Sequence, residues 1–343
     1  MKHSKVMSAP NAAPADPAAP FGCIRPADPR IVVVLPAFNE ADNLGRLLPS
    51  LCAHLRKLSS RYELIVVDDG SADATSAVAV GMAELFPVTL LRLSRNFGKE
   101  AAISAGLDHA DGDVVVIMDS DLQHPIEVLD TFFEEWRNGY DMVYGVRADR
   151  TDESAAKRVL TGLYYRLLSR SANVEIHADA GDFRLLDRKV VEALRQLPER
   201  TRMMKGLYAW VGFPSKAVTF KVAPRGSGET SFGLRRLSGL ALTGFTSFSS
   251  APLRVWMVIG ASVSLLSMLY GATIVVETLI YGSDAPGWPT LAAGLSFLGG
   301  VQLFSIGVLG EYVARIFSEV KSRPIYLVGE IHRPRRLRAA ANQ

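Results

Sequence analysis

The sequence predicts an α/β domain on a mostly parallel sheet with flanking helices, followed by an amphipathic interfacial helix and two transmembrane helices. Three observations carry that prediction. Short β-rich runs alternate with helically spaced stretches from Arg30 to about Tyr144, the pattern of strands joined by crossover helices. The runs are apolar nearly throughout, as strands covered on both faces are. Two long apolar stretches in the last third each exceed the roughly 20 residues that a helix needs to cross a bilayer.

The strands are expected at Ile31 to Leu35, Glu63 to Val67, Val88 to Leu93, Val114 to Met118 and Met142 to Tyr144. Between them, Asn43 to Leu58, Ser71 to Leu85, Lys99 to Ala110 and Ile126 to Asn138 carry apolar residues at helical spacing. Asn39 to Asp42 and Ser71 to Asp73 supply N-caps, with Ser71 read as a cap before anything else. From 151 to 230 the pattern loosens: helices are expected at 155 to 172, 188 to 197 and 202 to 211, and a strand at 217 to 223. This part reads as an acceptor subdomain closing on a Rossmann-like first half.

The unit boundaries follow. Residues 1–29, rich in Ala and Pro, read as a disordered leader without a signal-peptide core. Residues 30–231 read as the catalytic domain. Residues 232–250 mix Arg235 and Arg236 with Leu and Phe, as an amphipathic helix at the membrane interface does. Residues 251–314 hold the two spans, about Leu253 to Val276 and Leu291 to Val313, with a short extracytoplasmic loop; residues 315–343 read as a basic tail. The loop lacks Lys and Arg, whereas Arg254, Arg315, Lys321, Arg323 and the arginines from 333 to 338 flank the spans. The positive-inside rule then puts both ends and the catalytic domain on the cytoplasmic side of a multi-pass cytoplasmic (inner) membrane protein. A net charge of +3 is too small to argue for nucleic acid, and Cys23 and Cys52 alone suggest neither a disulfide framework nor a thiolate metal site. Glycines in the second span allow helix contacts, including between copies in a homo-oligomer.

The chemistry is expected where the strands end in polar clusters, since ligands of open α/β sheets bind at that edge. Asp119-Ser120-Asp121-Leu122-Gln123 follows the fourth run. Two carboxylates and an amide oxygen suit Mg²⁺ or Mn²⁺, and such a cation offsets the charge of a diphosphate. In Leu35 to Glu40 after the first run and Val66 to Ser71 after the second, the carboxylates of Glu40, Asp68 and Asp69 can accept from a base N–H or a ribose hydroxyl. Asn96 and Lys99, after the third, belong to the same donor side. No G-x-G-x-x-G follows the first strand and no Walker-type loop occurs, which sets aside dinucleotide oxidoreductases and P-loop enzymes. His124 reads as a turn residue.

These segments together resemble the inverting family 2 glycosyltransferases with the GT-A fold. The likeness is closest to the dolichyl- and polyprenyl-phosphate mannosyl- and glucosyltransferases, including the bactoprenol glucosyltransferase group, and spans about residues 30 to 330. The resemblance implies that Pro36, Phe38, Glu40, Asp68 and Asp69 bind the nucleotide, and that Asp119, Asp121 and Gln123 hold the metal. It also implies that Arg147 contacts donor or acceptor phosphate, that Asp182 in Ala180 to Leu185 is the carboxylate nearest the reacting centre, and that Arg225 and Ser231 lie in a loop at the acceptor phosphate. Asp121, Asp182 and Arg147 are thus the expected catalytic residues. Phe232 stands where the family often has Lys, which leaves Arg225 as the loop's cation.

The implied partners are a UDP- or GDP-sugar donor, glucose favoured, and a polyprenyl (undecaprenyl) phosphate in the membrane. A phosphate acceptor is already largely ionised at neutral pH, its second pKa being about 6, so no strong general base is required. Two other readings stay open at this point: transfer to a sugar hydroxyl in polysaccharide synthesis, and a non-catalytic membrane scaffold.

Overall fold

The structure, a computed structural model, describes residues 25–148, 180–200, 202–221 and 287–334, with scattered residues between 260 and 280, all of them helical. The helix expected at 155 to 172, the loop with Arg225 and Ser231, the amphipathic stretch 232–250, most of the first apolar stretch and the end of the arginine cluster lie outside the described residues.

The chain runs β1 (Ile31–Ala37), α1 (Ala41–Leu58), β2 (Tyr62–Asp68), α2 (Thr75–Leu85), β3 (Val88–Leu93), α3 (Lys99–His109), β4 (Val114–Ile117), α4 (Val128–Arg137) and β5 (Met142–Arg147). It continues through β6 (Ala180–Asp187), α5 (Arg188–Gln196), α6 (Met204–Trp210), β7 (Ser215–Phe220), α7 (Trp288–Val320) and β8 (Val328–His332). One eight-stranded sheet has the order β7-β5-β6-β4-β1-β2-β3-β8. Its centre, β4-β1-β2-β3, is parallel; β6 lies antiparallel between β4 and β5, and β8 antiparallel on β3.

Period two in β1 divides the core. Ile31, Val33 and Leu35 pack on one face against α1, α2 and α4, while Val32 and Val34 pack on the other against α3, α5 and α6. All five are fully buried, so the strand reads as one apolar run. Helix α3 can approach β1 because residue 106 is glycine: a Cβ there would stand 2.1 Å from Val34 Cγ1. Among the described residues Cys52 is free and buried on α1, and its thiol is pushed up to about 11, chiefly by burial.

Two strands depart from expectation. The segment read only as a motif, Ala180 to Leu185, is a strand through Asp187. Asp182, Arg184 and Asp187 hide its pattern, yet Phe183, Leu185 and Leu186 are fully buried, the first two in the cluster with α4 and the last in the cluster with α5. The stretch from 315 onward is not simply a basic tail: α7 runs on to Val320, and β8 then covers the free edge of β3, setting Glu330 opposite Arg92. The leader's end also differs. Arg25 pairs with Asp187 and with Asp141 (2.7 Å) over the Trp136 ring, and Asp28 accepts from Ser59 Oγ (2.7 Å) and the Ser60 N–H (2.8 Å).

Helix α7 has 33 residues, and within it Phe297–Val320 is long and apolar enough to cross a membrane by length and composition. Leu303, Phe304, Ile306 and Phe317 are each more than half exposed. The first expected span, about Leu253 to Val276, lies largely outside the described residues.

Candidate active site

The carboxyl ends of β1, β2, β3 and β4 converge, as expected, but their acids differ in how they are used. Asp68 is fully buried; its carboxylate accepts from the Ser71 N–H (2.8 Å) and from the Ser76 hydroxyl. Asp69 accepts from the N–H groups of Phe97 (2.7 Å) and Gly98 (2.8 Å). Burial nonetheless raises its pKa above the ordinary value, against those two bonds. Gly70 fits this junction because its φ is +72° and a Cβ would stand 2.6 Å from the Arg95 carbonyl carbon.

Ser71 is not a helix cap. Helix α2 starts four residues later, at Thr75, and Ser71 Oγ instead accepts from the Asn39 N–H (2.9 Å), while Asn39 Oδ1 accepts from the Ala72 N–H (3.0 Å). Asn39 takes a left-handed backbone (φ 56°), which asparagine tolerates. The β1 and β2 loops are thereby joined next to Phe38, which is 47% exposed, and Glu40 accepts from Asn43 Nδ2 (2.5 Å). Asn96 is exposed on the adjoining β3 loop.

The end of β4 is arranged around side-chain charges. Ser120 is buried and donates to the Pro36 carbonyl (2.6 Å), fixing the turn against β1. On either side of it Asp119 and Asp121 project, and the left-handed Leu122 (φ 62°) returns the chain so that the Gln123 N–H meets Asp121 Oδ1 (3.1 Å). Lys99, the first residue of α3, sets its Nζ between Asp119 Oδ1 (2.6 Å) and Asp182 Oδ2 (2.8 Å). Arg147 Nη2 donates to Gln123 Oε1 (3.2 Å) from the end of β5. Asp119, Asp121, Gln123, Lys99, Asp182 and Arg147 are therefore brought together, although 24 to 83 residues separate Asp121 and Gln123 from Arg147 and Lys99 from Asp182.

The surroundings explain why the charges persist. Burial works against the Lys99 ammonium, but Asp119 and Asp182 outweigh it and hold its pKa above the ordinary lysine value. Burial likewise works against the Asp182 carboxylate, but Lys99, then Lys205 and Arg184, keep its pKa below the usual range. Asp182 Oδ1 is buried with no hydrogen-bond partner among the described residues. The second layer escaped sequence reasoning. Arg184 is buried between Tyr144 and Tyr208, with its guanidinium 4.1 Å from the Tyr208 ring centroid. Glu100 accepts from the Met204 N–H (3.1 Å) and is pushed up to about 7, chiefly by burial and then by Asp182. His124 is more than a turn residue: it stacks on Phe183 at 4.6 Å, and burial lowers its pKa. Only tertiary pairing of β6 and α6 with α3 creates this layer, and the one sequence cue is Glu100 standing beside Lys99.

The oxygen set fits a hard divalent cation. Asp119 and Asp121 offer carboxylates and Gln123 an amide oxygen, and Asp119 already holds a positive group, the Lys99 ammonium that it shares with Asp182. Among the described residues no three His, Cys, Asp or Glu side chains gather to make a site independent of a ligand. A ligand's own oxygens would complete the coordination.

A parallel-centred sheet with acids and cations at the carboxyl ends of its strands defines a GT-A-like α/β fold. The chain belongs to glycosyl transferase family 2, whose model matches residues 32–195; the model of the GtrB C-terminal hairpin matches residues 251–316. It is 44% identical over 300 residues to an uncharacterized glycosyltransferase of Synechocystis sp., covering 87% of this chain and 94% of the relative. It is 43% identical over 305 residues to the SfII prophage-derived bactoprenol glucosyl transferase of Shigella flexneri, covering 89% of this chain and 99% of that one. A prophage bactoprenol glucosyl transferase homolog of Escherichia coli K12 is 40% identical over 303 residues, at 88% and 99% coverage.

Proposed function

We propose that this protein is a bactoprenol-type glucosyltransferase, transferring glucose from UDP-glucose to a polyprenyl phosphate with inversion at the anomeric carbon. The observation that carries the proposal is the Asp119–Lys99–Asp182 array beside Asp121, Gln123 and Arg147, in a chain whose full-length relatives include bactoprenol glucosyl transferases. Phe38, exposed beside the joined β1 and β2 loops, stacks on the base, with Asp68 and Asp69 shaping the donor pocket through the loops they tie. Asp119, Asp121 and Gln123 would hold Mg²⁺ or Mn²⁺, which when bound would offset the charge that grows on the departing diphosphate.

Asp182 orients the acceptor, and Lys99 turns between the carboxylates and the phosphates. Arg147, with Arg225 and Ser231 from the stretch that comes after β7 in the sequence, steadies phosphate oxygens; the planar fork suits them. The acceptor oxygen is already anionic, so positioning and charge stabilisation supply most of the acceleration. Helix α7, with its preceding partner stretch, anchors the chain in the cytoplasmic membrane, where the lipid acceptor resides.

The test is transfer of radiolabelled UDP-glucose, with UDP- and GDP-sugar controls, to undecaprenyl phosphate in detergent, with and without Mg²⁺ or Mn²⁺. A chloroform-soluble product that needs the metal and falls by about 100-fold or more in Asp121→Ala is expected, the scale of losing one transition-state charge contact. Metal-dependent donor binding without lipid product would instead favour a hydroxyl acceptor.

A further inference from the structure

Towards the other end of α3 from Lys99, where Asp108 lies about 14 Å along the helix at 1.5 Å per residue, is a cavity of about 450 Å³ that the transfer chemistry does not use. Its walls come from the end of α3 (Asp108), the end of α5 and the turn after it (Arg195, Arg200, Arg202), and the segment after α7 (Pro324 to Tyr326). Three arginines thus face one aspartate, and that aspartate is engaged by the Tyr326 hydroxyl at 2.8 Å.

Two of the three arginines are held by carbonyls. Arg195 donates to the carbonyls of Leu107 (2.9 Å) and Ala110 (2.5 Å), and Arg202 to that of Leu197 (2.8 Å) and to Ser104 Oγ (3.4 Å). Among the described residues no carboxylate lies within ion-pair distance of any of the three guanidiniums; the Glu319 carboxylate accepts from the Arg200 backbone N–H at 3.0 Å, not from its side chain. Carbonyl anchoring fixes the orientation of a guanidinium but leaves its charge uncompensated, so the walls carry an excess of positive charge with spare N–H donors. Guanidinium forks of this kind match phosphate oxygens.

The site also has an address. The apolar stretch Phe297–Val320 ends four residues before Pro324, and the exposed Lys321 and Arg323 add charge at the exit. Glu319, in the last turn of α7, touches the backbone of Arg200, so the helix terminus and the cavity wall are in contact. Basic residues at the cytoplasmic end of a span attract anionic headgroups.

We propose that this cavity binds a phosphate anion, supplied by the headgroup of an anionic phospholipid where α7 leaves the bilayer. The proposal rests on the membrane placement given above, though not on the identity of the sugar. Occupancy would hold α3, α5 and the strand-β8 connection together at the membrane surface, remote from the reacting groups.

The test uses the full-length protein, delipidated in neutral detergent and titrated with phosphatidylglycerol, phosphatidylcholine or inorganic phosphate, with retained lipid counted by native mass spectrometry. Phosphatidylglycerol should bind about fivefold or more tightly than phosphatidylcholine, and Arg200→Gln should remove about fivefold of that preference. Arg200→Gln breaks none of the carbonyl contacts; its melting curve and its transfer of glucose to a polyprenyl phosphate in the same micelles should match the parent's. Equal retention of the two lipids, or an unchanged preference in Arg200→Gln, would overturn the assignment. Saturation by inorganic phosphate that abolishes lipid retention at millimolar levels would make it a soluble-phosphate site, and the lipid assignment would fall. Transfer without lipid preference counts against this site alone, and lipid preference without transfer counts against the glucosyltransferase reading alone.

Discussion

The carboxylates at the ends of β2 and β4 occupy equivalent places on one sheet edge and are used in opposite ways. Asp68 and Asp69 give their oxygens to Ser71, Ser76, Phe97 and Gly98, and thereby shape loops. Asp119 meets the Lys99 side chain, which Asp182 shares from β6. An acid bonded to backbone N–H groups is fixed at folding, because releasing it would leave buried donors unpaired. An acid paired with a flexible ammonium can exchange that partner for another cation or a phosphate-bound ligand. The first kind builds the pocket, and the second does chemistry in it.

This contrast predicts different failures. The largest belongs to Asp182→Asn, which should lower kcat for lipid glucosylation by about 100-fold or more while UDP-glucose binding, measured by calorimetry, stays within about threefold. A variant that keeps most of its kcat would remove Asp182 from the reacting centre. Asp69→Ala should do the reverse. With two charge-assisted bonds lost, stability in urea should fall by about 2 to 3 kcal/mol, and donor KM should rise more than kcat falls. If Asp69→Ala were as stable as the parent but inactive, the division drawn here between pocket-building and reacting acids would be wrong.

A third effect, on stability and not on turnover, is a pH dependence. The Glu100 carboxyl sits at about 7 in the folded protein against 4.5 as the ordinary value. The folded state then holds a proton that the unfolded state has released, so stability falls as pH rises from 4.5 to about 7 and levels off above. Melting temperatures between pH 5 and 8 should show this slope in the parent and a shallower one in Glu100→Gln, which keeps an oxygen for the Met204 N–H. Equal slopes would show that Glu100 is solvated.

The two ends of the chain's organisation were unequally legible. The strands β1 to β5 and helices α1 to α4 could be read within a few residues, because each carries its own apolar period and the sheet centre buries both strand faces. Asp119 to Gln123 was equally legible as a polar cluster after a strand. Strands β6 and β8 were not: β6 carries Asp182, Arg184 and Asp187, and β8 carries Gly329 and Glu330, so neither has a period that stands on its own. Each became a strand through partners distant in sequence, β4 and β5 for the one and β3 for the other.

By itself the sequence determined the α/β class, the polar strand ends and the apolar terminal stretches, since periodicity, turn residues and length are local properties of the chain. Only the tertiary structure decided which acids are consumed by loops and which face a cation, that Ser71 joins two loops instead of capping a helix, and that Arg184 lies buried between two tyrosines. Those outcomes depend on burial and on distances between residues far apart in the chain. A side chain's charge has no fixed role until its neighbours set the cost of desolvating it.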